Sequence, residues 1–243
     1  MPLASEPLLY RMAERVLQSN LCTQVVIATT TDAADDAVEE LCIQHHLTCF
    51  RGHPTDLLDR HYQVAQKFNA DIILKIPSDC PLIDPEIIDR GIRFFLDRWP
   101  NFDYVSNLHP ASYPDGNDVE IMTYEALEKA WKEATRGLER EHTTPYIWEN
   151  PEKFRIGNFV WETGKDYSMS HRWTIDYPED YTFIEKIYVA LYASNPRFGI
   201  ADILNVASSK EIFEINSKYA GVNWYRNHLE ELKTISPEQT KQL

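Results

Sequence analysis

Two hydrophobic periods alternate along the first hundred residues. Leu9, Met12, Ala13 and Val16 recur at i, i+3, i+4 and i+7, which predicts an amphipathic helix with Pro7 near its first turn. Val25 to Ala28 is a short continuous apolar run, the pattern of a strand buried on both faces. Asp32 is placed to cap a following helix whose stripe is Val38, Leu41, Cys42 and His45. Leu47 to Phe50 reads as a strand, Asp56 to Phe68 as a helix and Ile72 to Ile76 as a strand; Asp84 then caps a helix that starts at Pro85. Such alternation predicts an α/β fold with a mainly parallel sheet and helices on both faces.

Beyond Phe102 the texture changes. Asp103 to Ser106 and Val119 to Met122 read as strands on either side of a turn-rich stretch, His109 to Gly116. Thr123 caps a helix marked by Leu127, Ala130, Trp131 and Ala134. Phe154 to Val160 and His171 to Ile175 are expected as strands, and Ile184, Ile187, Tyr188 and Leu191 mark a core helix. From about Arg197 a helical tail is expected, ending in a frayed polar segment. With no repeat and no low-complexity linker, residues 1–243 are expected to form one domain. Trp99, Trp131, Trp148 and Trp173 are expected in the core.

Charge narrows the partners. A net charge of −14 argues against a nucleic-acid-binding surface, which needs clustered Lys and Arg. It leaves room for a nucleotide whose phosphates are masked by a metal ion or a local basic pocket. The four cysteines match no zinc spacing and are too sparse for a disulfide scaffold; Cys22, Cys42 and Cys49 are expected as buried thiols in a reducing cytoplasm. No apolar run reaches membrane-spanning length. Residues 1–16 carry Glu6, Arg11, Glu14 and Arg15, unlike a signal peptide, so a cytoplasmic location is expected.

Two aspartates then stand out, each on a loop where an expected strand ends. Asp79 lies in Lys75-Ile76-Pro77-Ser78-Asp79-Cys80-Pro81, and Asp176 in Arg172-Trp173-Thr174-Ile175-Asp176-Tyr177-Pro178. Ligands of open α/β sheets sit at the carboxyl ends of strands. Magnesium takes one or two protein carboxylates and completes its shell with water and phosphates, so the pair points toward phosphate-ester chemistry. The alternative is helix capping. For Asp79 that task falls more naturally to Asp84, and near Asp176 the residue Asp180 is placed to serve the first helical turn.

An ordered series of motifs extends the picture. Arg51-Gly52, Asp56-Leu57-Leu58-Asp59-Arg60, Lys75 to Pro85, Tyr113 to Glu120, Glu139 to Tyr146 and Arg172 to Asp180 together resemble the cytidylyltransferase-like family of spore coat polysaccharide biosynthesis proteins. These are relatives of the enzymes that make CMP-activated acidic sugars such as sialic and ketodeoxyoctulosonic acids. The resemblance implies a Rossmann-like, glycosyltransferase-A-type sheet and transfer of CMP from CTP to a sugar acceptor, acidic sugars included, with release of pyrophosphate and a requirement for Mg2+. It also makes a homodimer one open state. Family members open with a strand and a glycine-rich basic loop that binds the triphosphate; this sequence begins at the segment that follows. The resemblance therefore implies a sheet without that central strand, marginal stability and little or no transferase activity for the chain as given. A non-catalytic member that binds a sugar or a partner protein is the alternative. A nucleotide-sugar-dependent glycosyltransferase has less support, because no aspartate-x-aspartate motif follows the expected strand.

Residue by residue, the resemblance implies that Asp79 and Asp176 bind the metal and that Lys75 points toward the phosphates. Pro77 and Ser78 replace a threonine and a glycine common in relatives. Asp56 and Arg60 fall in a region that contacts the nucleotide, with an i, i+4 surface pair as the plainer alternative. Asp115, Glu120, Glu141 and His142 are placed on the sugar side, where His142 can serve as general base; a purely structural histidine is equally open. Arg172 is placed either to take a sugar carboxylate or phosphate or to neutralise Asp176.

Overall fold

A computed structural model describes residues 1–222, 228 and 230–234. The polar end of the expected tail lies outside the described residues. The chain starts with a small hairpin, β1 (Pro2–Leu3) and β2 (Glu6–Pro7), and α1 (Leu8–Leu17). Then come β3 (Val26–Thr30), α2 (Asp36–Gln44), β4 (Thr48–Gly52), α3 (Leu57–Lys67), β5 (Ile72–Lys75) and α4 (Pro85–Leu96). The second half holds β6 (Tyr104–Ser106), β7 (Glu120–Thr123), α5 (Tyr124–Glu133), α6 (Gly137–His142), α7 (Pro145–Trp148) and β8 (Ile156–Asn158). Helices α8 (Pro178–Leu191), α9 (Ile200–Ala207) and α10 (Lys210–Phe213) follow.

Helix starts follow the expected chemistry. Asp56, Asp84 and Thr123 accept from backbone N–H groups in the first turns of α3, α4 and α5. Asp32 does not cap by side chain: a 3-10 turn, Ala33–Asp35, intervenes before α2. There the Asp35 carboxylate turns back to the Thr30 backbone N–H at 3.1 Å.

The four-stranded sheet runs β5-β7-β6-β8, with β7 antiparallel to both neighbours and β6 parallel to β8. Strands β5, β6 and β8 therefore share one direction and β7 alone opposes them. β3 and β4 form a separate parallel ladder from Val26↔Thr48 to Thr30↔Gly52. The α/β class is the one expected, and antiparallel β7 makes the sheet mixed. Among the described residues no ladder joins β3 to β5. A cavity of about 1590 Å³ takes its wall from both strands and from Met12, Val16, Ala65 and Phe95.

Other expectations are corrected. His171–Ile175 is not a strand: it makes a single bridge, Asp115↔Arg172, because the chain leaves the ladder direction once Trp173 N has bonded Asp115 O at 2.8 Å. Trp99 is 53% exposed at the end of α4, while Trp148 and Trp173 are buried and Trp131 is half-buried, stacked on Tyr62. Cys42 is buried, but Cys22 and Cys49 are half-buried; all four cysteines are free thiols. No helix of the described residues is long and apolar enough to cross a membrane.

Candidate active site

Three chain segments are stitched together at one mouth of the cavity. Ile175 N donates to Asp79 O at 3.0 Å and the Thr174 hydroxyl to the same carbonyl at 3.2 Å. Asp115 N donates to His171 O at 2.9 Å. Gly116 permits this closeness: its φ is +98°, and a Cβ there would lie 2.7 Å from the Trp173 carbonyl carbon. The result brings Asp79, Asp115, Asp118, Arg172 and Asp176 onto one wall.

Neither metal candidate is spent as a helix cap. Asp84 caps α4 through Glu86 N at 2.8 Å. Fully buried Asp180 receives the backbone N–H groups of Asp176 and Tyr177, each at 3.0 Å. Arg172 is the hub among these acids. Its buried guanidinium reaches Asp180 at 3.1 Å and Asp115 at 3.5 Å, and it also pairs with Asp176. Of its two expected roles, neutralising Asp176 is the one the geometry displays.

Lys75 and Glu120 meet because they are direct cross-strand partners in the β5–β7 register. Their ion pair is 2.5 Å long and largely buried, and the Tyr104 hydroxyl donates to the other Glu120 oxygen at 2.6 Å. Burial opposes both charges, but each partner offsets this for the other: Lys75 lies above its ordinary pKa and Glu120 below. Asp118 has the opposite fate. Burial first, then the Asp79 and Glu120 carboxylates, push it up to about 7. Burial and Asp118 likewise raise Asp115 well above the carboxylate range.

Other expected site residues lie elsewhere or act differently. Asp56 caps α3 and pairs with Arg140, whose Nε is 2.8 Å away, instead of with Arg60. Arg60 lines the cavity but donates to the carbonyls of His53 and Pro54. Glu141 is exposed on α6 and does not line the cavity; its neighbour His142 does. Burial lowers the His142 pKa.

Asp118, His61 and His109 were not singled out from sequence. His61 and His109 also line the cavity, and burial pushes both down to about 4, which keeps them neutral. His61 Nδ1 lies 2.7 Å from Leu57 O, so that nitrogen carries the proton. For Asp118 a signal existed: it stands two residues before Glu120, and extended chain places such residues on one face.

Among the described residues no group of three His, Cys, Asp or Glu side chains is arranged to hold a metal ion. Asp79 and Asp176 still offer the hard oxygen donors that magnesium prefers, and two carboxylates suffice when phosphates complete the shell. The mutual repulsion that lifts Asp115 and Asp118 is the electrostatic condition a divalent cation relieves. The residues fit the ion.

A mixed sheet flanked by helices, with a carboxylate-rich cavity beside β5, makes this a Rossmann-like α/β protein. A solved cytidylyltransferase from Leptospira borgpetersenii serovar Hardjo-bovis superposes with a TM-score of 0.83 at 32% identity, covering 89% of each chain. The family model for cytidylyltransferases matches residues 1–218, and the chain belongs to that family. It is 30% identical over 192 residues to the spore coat polysaccharide biosynthesis protein SpsF of Bacillus subtilis (strain 168), covering 77% of this chain and 78% of SpsF. A 3-deoxy-manno-octulosonate cytidylyltransferase of Geotalea daltonii is 34% identical over 87 residues, covering 36% of this chain and 34% of the enzyme. Against the curated relatives it matches, the chain spans between 34% and 78% of their own length.

Proposed function

We propose that the protein transfers CMP from CTP to a sugar hydroxyl, releasing pyrophosphate, in the assembly of a cell-surface or spore-coat polysaccharide. The observation that carries this reading is the stitched wall, where Asp79, Asp118 and Asp176 converge with Lys75 and Arg172 at the strand ends of a cytidylyltransferase fold. SpsF, a spore coat polysaccharide biosynthesis protein, supports the polysaccharide part of it, and the 3-deoxy-manno-octulosonate cytidylyltransferase the cytidylyl-transfer part.

In this reading the sugar oxygen bonds to the α-phosphorus, the bond to pyrophosphate breaks, and the hydroxyl proton passes to a protein base. Asp118 and neutral His142 are the groups on the wall suited to take that proton, at a carboxylate oxygen or a ring nitrogen. Asp79 and Asp176 would hold magnesium, which supplies charge neutralisation at the phosphates. Lys75 and Arg172 hold the acidic side chains in place; the chain acts by positioning and electrostatics.

The test is a calorimetric titration of magnesium and CTP into the wild type, Asp79→Asn and Asp176→Asn. Each substitution should abolish magnesium-dependent binding while circular dichroism stays native. If both variants keep the magnesium dependence, the reading fails.

A further inference from the structure

A segment from beyond α10 closes on the loop that carries Asp176. It contains a 3-10 turn, Ser217–Tyr219, with Asn216 at its N-cap position. Asparagine there ordinarily spends its side chain on its own turn, but Asn216 makes no such cap. Its buried amide instead donates to Arg172 O at 2.8 Å and to Asp180 Oδ1 at 2.9 Å, which uses both of its N–H groups. Both partners are acceptors, so the orientation of the amide is fixed. Further along, Val222 O accepts from Arg172 Nη1 at 3.2 Å. The Tyr219 ring stacks on Tyr177 with centroids 3.8 Å apart, and Lys218 pairs with Glu179 at 2.6 Å.

We propose that Asn216 is a positioning residue for Asp176: it holds Arg172 and Asp180 in the arrangement that presents the Asp176 carboxylate at the cavity wall. The proposal rests on the transfer reading above, in which Asp176 holds magnesium, and adds a residue to that site. The chain of contacts is short. Asp180 Oδ2 takes the backbone N–H groups of Asp176 and Tyr177, each at 3.0 Å, while Oδ1 faces Asn216 and Arg172 Nε. With Asn216 bound to one oxygen, the carboxylate cannot turn the other away from the loop without losing that bond. The same amide pins the Arg172 carbonyl, so both flanks of Asp176 are tied to one side chain. Asn216 does not line the cavity itself and acts only through these neighbours. Removing its donors leaves two acceptors one bond short, which loosens the loop. Partners of this kind, one contact behind a metal-binding carboxylate, set its orientation and thereby the affinity of the site.

Two variants of the 243-residue chain test this: Asn216→Ala, and Asn216→Asp, which keeps the shape but loses the donors. Magnesium titrated calorimetrically in the presence of CTP should bind each about 10- to 100-fold more weakly than it binds the wild type. The Asp176 and Tyr177 amides, followed by NMR hydrogen exchange without metal, should exchange at least about tenfold faster. Amides of β7, Glu120–Thr123, should keep their wild-type rates. Lys218→Ala removes only an exposed ion pair of the same segment and should stay within about twofold of the wild type in both measurements. A residue that merely anchors the segment would lower Tm and leave magnesium affinity and the two amides unchanged. That result overturns the proposal, and so does unfolding of both Asn216 variants. If the wild type and Asp176→Asn bind magnesium alike, the transfer reading fails and the proposal with it. If Asp176→Asn loses magnesium while the Asn216 variants retain it, the transfer reading stands and the proposal alone fails.

Discussion

Replacing Asp118 by asparagine should stabilise the protein, increasingly so as pH rises from about 4 to about 7. Burial and the carboxylates of Asp79 and Glu120 lift the Asp118 pKa from 3.8 to about 7. Its folded value lies above its unfolded one, so the native state keeps a proton that the unfolded chain has released. The stability present below the unfolded value of 3.8 is lost progressively as pH rises and is fully lost above about 7. A shift of about three units is worth about 4 kcal/mol, and about two of those units fall between pH 5 and 7. Asparagine keeps an oxygen for the backbone N–H of Gly116, which the carboxylate now accepts, and it cannot ionise.

The Asp118→Asn variant should therefore gain about 3 kcal/mol over the wild type between pH 5 and pH 8. At about 2–4 °C per kcal/mol for a chain of this size, the gap in Tm should widen by about 6–12 °C. Thermal unfolding across that range is the assay. Magnesium at pH 8 should raise the wild type more than the variant, because the cation stabilises the ionised cluster. Parallel pH curves for the two proteins would refute the account, since they would show that Asp118 titrates alike in both states.

One further outcome is expected. Gly116→Ala forces a side chain at φ +98° into the Trp173 carbonyl, so it should separate the Asp115 and Arg172 segments; urea unfolding should show a loss of about 1–3 kcal/mol, and an unchanged midpoint would contradict the packing.

The local parts of this fold were legible because their causes are local. Asp84-Pro85 and Thr123 announce helices by cap chemistry, and the observed α4 and α5 start there. His171–Ile175 misled because alternation records which faces are buried and says nothing about whether a neighbouring edge is available. The site divides along the same line. Asp79 and Asp176 stood out as candidates because each ends a segment, and the competing caps Asp84 and Asp180 were visible beside them. The destination of charge was not visible. Lys75 and Glu120 are 45 residues apart and become partners only through an antiparallel register. Likewise, Asp56 reaches Arg140 across 84 residues and leaves its helical neighbour Arg60 to backbone carbonyls. A sequence motif identifies a cation near a phosphate or sugar site, but the pairing register decides whether its charge is still available to a ligand.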